Sequence, residues 1–150
     1  MKLKIIRRKE IRGIGKAFLT LSFVGILSIM SFAFRQRPPW VAPPSADKIV
    51  NPLKGNAAAT AEGKKLYAQR CAVCHGVKGK GDGIAAAGLH PRPADHTSAR
   101  VQAQTDGAIF WKMTNGNPPM AAYKTVLTEK QRWELVNYIR VLGAAAKGKK

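Results

Sequence analysis

The chain of 150 residues has two cysteines, three positions apart, and a histidine follows the second directly: Cys71-Ala72-Val73-Cys74-His75. On a helical turn this spacing sends both sulfurs out of one side, with the imidazole beside them. Whatever the rest of the chain folds into has to build around that cluster. With no other cysteine present, no second site competes for either sulfur.

Four chemistries use such a cluster. A dithiol exchange pair needs a βαβ setting, and the flanks show no strand pattern. A zinc site needs a fourth ligand, which His90 or His96 can supply. A structural disulfide suits an exported chain. The fourth is C-x-x-C-H as the attachment pattern of a c-type haem: Cys71 and Cys74 form thioethers with two vinyl groups, and His75 reaches the iron. The adjacent histidine, an export signal and a weak apolar core together favour haem.

Helical spacing marks three helices after residue 56. The first is expected over 60–74, with Thr60 as N-cap, Glu62 in its first turn, and Gly63, Leu66, Tyr67 and Arg70 or Cys71 as its apolar or close-packing positions. The second is expected over 106–115, capped by Thr105 and ended by Gly116. The third starts at a Thr128/Gln131 capping box, carries Leu135, Tyr138, Ile139 and Leu142 on one face, and stops at Gly143. Residues 76–104, punctuated by Gly76, Gly79, Gly81, Gly83, Gly88, Pro91 and Pro93, read as loops with room for one short turn of helix. The fold class is mostly α: three main helices and long loops. About 90 residues with this much loop are marginal on burial alone, and a large apolar cofactor would organise them.

The first 34 residues read as an export or anchor segment. Residues 1–16 hold Lys2, Lys4, Arg7, Arg8, Lys9, Arg12 and Lys16 against Glu10 alone, and residues 17–34 carry no charge. As a helix those 18 residues span about 27 Å, close to a bilayer core. A basic flank before them keeps the N-terminus in the cytoplasm and exports the rest. An uncleaved membrane anchor is favoured; the alternative is a signal peptide cut near Ala33, after Ser31-Phe32-Ala33. Residues 35–55, with Pro38, Pro39, Pro43, Pro44 and Pro52, read as an extended spacer. A haem domain is expected over 56–143, and 144–150 read as a frayed basic tail.

The formal net charge is +18. The basic residues are dispersed and lack interleaved aromatics, so acidic redox partners are favoured over nucleic acid. For the second axial ligand the residues offer Met120, in the loop Asn115-Gly116-Asn117-Pro118-Pro119, and Met113, among core-like neighbours on the second helix. A loop thioether can be aimed at a flat cofactor, which favours Met120. His90 and His96 are the bis-histidine alternative, though both read as polar loop residues near solvent.

From about residue 56 to 143 the chain resembles the class I c-type cytochromes, especially small bacterial mono-haem, cytochrome c6-like members. The resemblance is carried by Thr60-Ala61-Glu62-Gly63-Lys64-Lys65-Leu66-Tyr67, the haem box through Gly76, the loop Gly79-Lys80-Gly81-Asp82-Gly83, the methionine loop through Ala121-Ala122-Tyr123, and Leu135-Val136-Asn137-Tyr138. It implies the cytochrome c fold around one covalent haem c, with the last helix crossing the first near Gly63. It implies Cys71 and Cys74 as attachments, and His75 and Met120 as iron ligands. It also implies a carbonyl of Pro91 or Pro93 accepting the second nitrogen of His75. Ala121 departs from the proline that many members carry after the methionine.

The resemblance further implies single-electron transfer between donor and acceptor proteins of a respiratory chain, not catalysis. The haem domain is expected in the periplasm, held at the bacterial inner membrane by residues 17–34, or soluble there after cleavage. Two alternatives are a haem subunit of a larger respiratory complex and a peroxidase or sensor with an open sixth site.

Overall fold

The computed structural model describes residues 39–148. The basic flank, the apolar run 17–34 and the cleavage site near Ala33 lie outside the described residues. Among the described residues no helix is long and apolar enough to cross a membrane.

Among the described residues five α-helices follow one another: α1 (Ala57–Arg70), α2 (Ala72–His75), α3 (Ala99–Gln102), α4 (Asp106–Asn115) and α5 (Glu129–Lys147), with 3-10 turns at Pro44–Lys48 and Ala86–Gly88. No strand forms among the described residues; Asn117 and Met120 make one isolated antiparallel bridge. The mostly helical class and the three main helices stand as expected.

Helix α1 begins one turn before Thr60. The Asn56 side chain accepts from Ala59 N at 2.9 Å, and this cap admits three alanines, the residue with the strongest helix propensity. Its buried line is Ala59, Gly63 and Tyr67, spaced by four. That line packs on α5, whose capping box at Thr128 and Gln131 forms as expected. A side chain at Gly63 would run into the Glu134 carbonyl and Leu135 N, both backbone of α5. The missing Cβ is what lets the two helices touch.

The apolar core joins Tyr67, Val101, Ile109, Phe110, Met113, Leu127, Trp133, Leu135, Val136, Ile139 and Leu142. Phe110 of α4 and Trp133 of α5 stack at 3.9 Å and 13°. Thr105 caps α4 through Ala108 N at 3.0 Å, and Gly116, at φ 65°, ends it.

Two expectations are corrected. Gly143 does not stop α5, which continues to Lys147, so residues 144–147 are helix rather than frayed tail. Gly143 is buried where a Cβ would strike the Gln102 side chain, so it serves packing, and the alanines beyond it favour helix. The spacer expected at 35–55 is not extended from Trp40 onward, where the chain forms one contact unit. Ala46 is fully buried, and the Ile49 carbonyl lies 2.7 Å from where a Cβ on Gly107 would sit.

What pins this strap is a polar network the proline content did not reveal. Asn51 donates through Nδ2 to Asp106 Oδ2 and Asn137 Oδ1, each at 2.9 Å. Asn137 Nδ2 donates to the Leu53 carbonyl at 2.6 Å, and Arg140 Nε pairs with Asp106 Oδ1 at 2.7 Å. Burial pushes the Asp106 carboxyl up, but the hydrogen bonds from Asn51 and Arg140 and the arginine charge outweigh it and hold it below its ordinary value. A depressed carboxyl stabilises the fold above its unfolded-state pKa, and that contribution is lost as pH falls through the folded value. Asp106→Asn is therefore expected to cost about 2 kcal/mol at neutral pH and to flatten the loss of stability below pH ~4. Urea melts across that range check both.

Candidate haem site

Cys71 closes α1 and opens α2. Its N–H donates to the Tyr67 carbonyl at 2.9 Å, and its own carbonyl accepts from Cys74 N at 3.1 Å and His75 N at 2.8 Å. The two free, partly buried thiols thus stand one turn apart. The glycine loop folds back over this turn and satisfies its carbonyls: Gly81 N donates to His75 O at 2.8 Å, Gly83 N to Cys74 O at 3.1 Å and Ala85 N to Val73 O at 3.0 Å. Gly79 and Gly81 take positive φ, near 73° and 74°, which suits residues without a Cβ.

His75 is buried, and its Nδ1 lies 2.9 Å from the Ala94 carbonyl. A carbonyl can only accept, so the proton sits on Nδ1 and Nε2 keeps a free lone pair. The acceptor is neither Pro91 nor Pro93: the Pro93 carbonyl is turned to Gly81, and the next residue faces the imidazole. Burial lowers the His75 pKa, against the smaller raising effect of the Ala94 bond, which favours the neutral ring a metal requires. Burial, then the neighbouring Cys74, pushes the Cys71 thiol up to about 12. Dithiol exchange calls for a depressed thiol, so the exchange-pair alternative fits poorly.

Met120 is partly buried and packs against the apolar core. Its loop is closed by the Asn117–Met120 bridge and by Tyr123 N donating to the Met113 carbonyl at 3.1 Å. The Tyr123 hydroxyl donates to the Arg70 carbonyl at 3.1 Å, tying the methionine loop to the residue before Cys71. Burial, then the nearby Cys71 and Cys74 sulfurs, raises the Tyr123 pKa. The cysteine turn and the methionine loop, 40 or more positions apart in the sequence, therefore meet at Tyr123. Met113 is 5% exposed inside the core, as its neighbours suggested.

The two other histidines part company. His90 is exposed. His96 is not the solvent-facing loop residue expected: its ring stacks on His75, centroids 4.1 Å apart and planes at 17°. The turn that brings it in had a readable signal, since Asp95 Oδ1 accepts from Thr97 N at 2.7 Å and Thr97 Oγ1 at 2.6 Å, an Asx turn. Among the described residues no three His, Cys, Asp or Glu side chains group as a self-sufficient metal site. Two thiols on one turn, a neutral imidazole with Nε2 free and a thioether in a loop tied to that turn fit a haem attached through the protein's own sulfurs.

This fold is that of a c-type cytochrome. The family model for cytochrome c matches residues 60–143, more than half the chain, and the protein belongs to that family. Its members carry covalent haem c and act in haem-based electron transfer. No curated protein sequence matches the chain. Among solved structures it is similar to a chain of the Kuenenia stuttgartiensis reducing HAO-like protein complex, at 26% identity and a TM-score of 0.55. That match covers 75% of this chain and 53% of the other, so the present chain spans about half the length of that relative.

Proposed function

We propose that the chain is an exported mono-haem cytochrome that passes single electrons between respiratory redox partners. The observation that carries this reading is the His75 imidazole, protonated at Nδ1 by its bond to Ala94 and so left with Nε2 free beside two unpaired thiols. A single C-x-x-C-H in a chain with two cysteines supports one haem. In this reading Cys71 and Cys74 would hold the haem through thioethers, and His75 and Met120 would ligate its iron. When bound, the haem iron supplies one-electron oxidation and reduction.

The protein's own residues hold and orient. Ala94 fixes the His75 tautomer and raises its basicity. Tyr123 and the Asn117–Met120 bridge keep the thioether loop against the cysteine turn. With His75 and Met120 both holding the iron, no position would be left open to a substrate, which favours a carrier over a peroxidase or sensor. Around the cysteine turn Val73, Val77 and Ile84 are 51%, 77% and 92% exposed, with exposed Lys78 and Lys80 beside them. An apolar patch rimmed by lysines suits brief docking to partners with acidic surfaces.

Residues 17–34 would hold the haem domain on the periplasmic side of a bacterial inner membrane, or release it there after cleavage near Ala33. A second reading, a haem subunit of a larger complex, is favoured by the likeness to a chain of a multi-protein HAO-like complex.

Expression of the full chain in a host competent for haem attachment tests the proposal. The expected product shows a pyridine haemochrome of c type and a mass one haem above its polypeptide. A colourless product of polypeptide mass alone would overturn it. Recovery in the detergent-extracted membrane fraction at full polypeptide mass supports the anchor, and a soluble chain shortened near Ala33 supports cleavage. Co-purification with fixed stoichiometric partners supports the subunit reading.

A further inference from the structure

One hydrogen bond at the edge of a ring sets where that edge points but tolerates tilt of the ring about the bond. The Ala94 bond to His75 is of this kind, and the face of His75 is covered separately, by His96. His96 is itself held from three directions. Its Nδ1 shares a hydrogen bond of 3.1 Å with the Tyr67 hydroxyl. Its N–H donates to the Gly79 carbonyl at 2.7 Å. Its carbonyl accepts from Gln102 Nε2 at 2.6 Å, and the same amide reaches the Ile139 carbonyl of α5 at 3.1 Å.

Tyr67 is anchored in turn. It is 1% exposed on the α1 face that meets α5, with its ring edge-on to Tyr138 at 5.2 Å.

We propose that His96 is a positioning residue for the iron: stacked on His75 and tied to the Tyr67 hydroxyl, it sets the plane in which His75 presents Nε2, and so links the α1–α5 crossing to the metal. The inference rests on the haem reading above. A residue that merely filled space would be replaceable by any side chain of similar bulk. A residue that sets a plane needs a flat face and a fixed edge.

The test uses proton NMR of the oxidised, haem-loaded full chain, because the order of the four haem-methyl shifts reports the plane of an axial imidazole. His96→Leu keeps apolar bulk and loses the flat face; it is expected to reorder the methyl shifts. His96→Phe restores the face and is expected to return the order toward wild type. Tyr67→Phe keeps the ring and loses the hydroxyl, and a smaller displacement in the same sense is expected. Unchanged shifts in haem-loaded His96→Leu, or equal displacement by leucine and phenylalanine, would overturn the proposal. Should His96→Leu not fold, Tyr67→Phe decides, and an unchanged pattern there overturns it. Wild-type protein that emerges without haem defeats the functional reading itself, which is told apart by measuring wild type first.

Discussion

Met120→Ala is expected to lower the reduction potential by on the order of 0.1 V, within the about 0.8 V that axial ligands command. A thioether is a soft donor that favours the ferrous state; water or a vacant position in its place favours ferric iron. The sulfur-to-iron charge-transfer band of the oxidised protein should vanish with it. The variant should fold, because Met120 lies in a loop held by backbone bonds from Asn117 and by Tyr123 rather than by its own side chain alone. Met113→Ala is the counterpart. That side chain is 5% exposed in the core, so its loss should cost on the order of 2–5 kcal/mol and leave the band in place. Potentiometric titration and absorbance of the two variants separate ligand from core residue. A charge-transfer band that survives in Met120→Ala would show that another group binds the iron.

Gly63→Val should be the most destabilising single change in the helical frame. A Cβ there meets the Glu134 carbonyl and Leu135 N, backbone atoms that cannot rotate away as a side chain can. Relief requires α1 and α5 to separate, which loosens Tyr67 on one side and Leu135 and Ile139 on the other. Overpacking of this kind costs about 3 kcal/mol or more, and for about 100 residues that lowers the melting temperature by more than about 10 °C. Gly63→Ala should show the same effect at smaller size. Thermal melts by circular dichroism check it, and a valine variant that melts with the wild type would mean the crossing is looser than its contacts indicate.

Both predictions start from residues that were legible without a structure. The cysteine pair and His75 declare themselves through a motif, Met120 is singled out by its loop composition, and Gly63 is marked by the family resemblance. The caps at Thr105 and Thr128 were legible too, because a cap and its helix are decided within one turn. The expected bounds of the elements were less secure. Asn56, not Thr60, starts α1, and Gly143 looked like a stop because glycine often ends helices, whereas here it makes room for Gln102.

The order of residues alone determined the helical class, the cysteine turn and its histidine, and the thioether loop, because each is encoded in spacing that local stereochemistry converts directly into geometry. Tertiary structure decided the rest. Asn51 finds Asp106 and Asn137 across 55 and 86 positions and makes a strap of what its prolines suggested was a spacer. His96 leaves solvent for the face of His75, where Tyr67, 29 positions earlier, Gly79 and Gln102 hold it. The Pro93 carbonyl lies against Gly81, and the carbonyl of Ala94 is the one that accepts the hydrogen bond from His75 Nδ1. Such partners carry no periodic signal, since a polar group is satisfied by whatever the packed chain brings within about 3 Å.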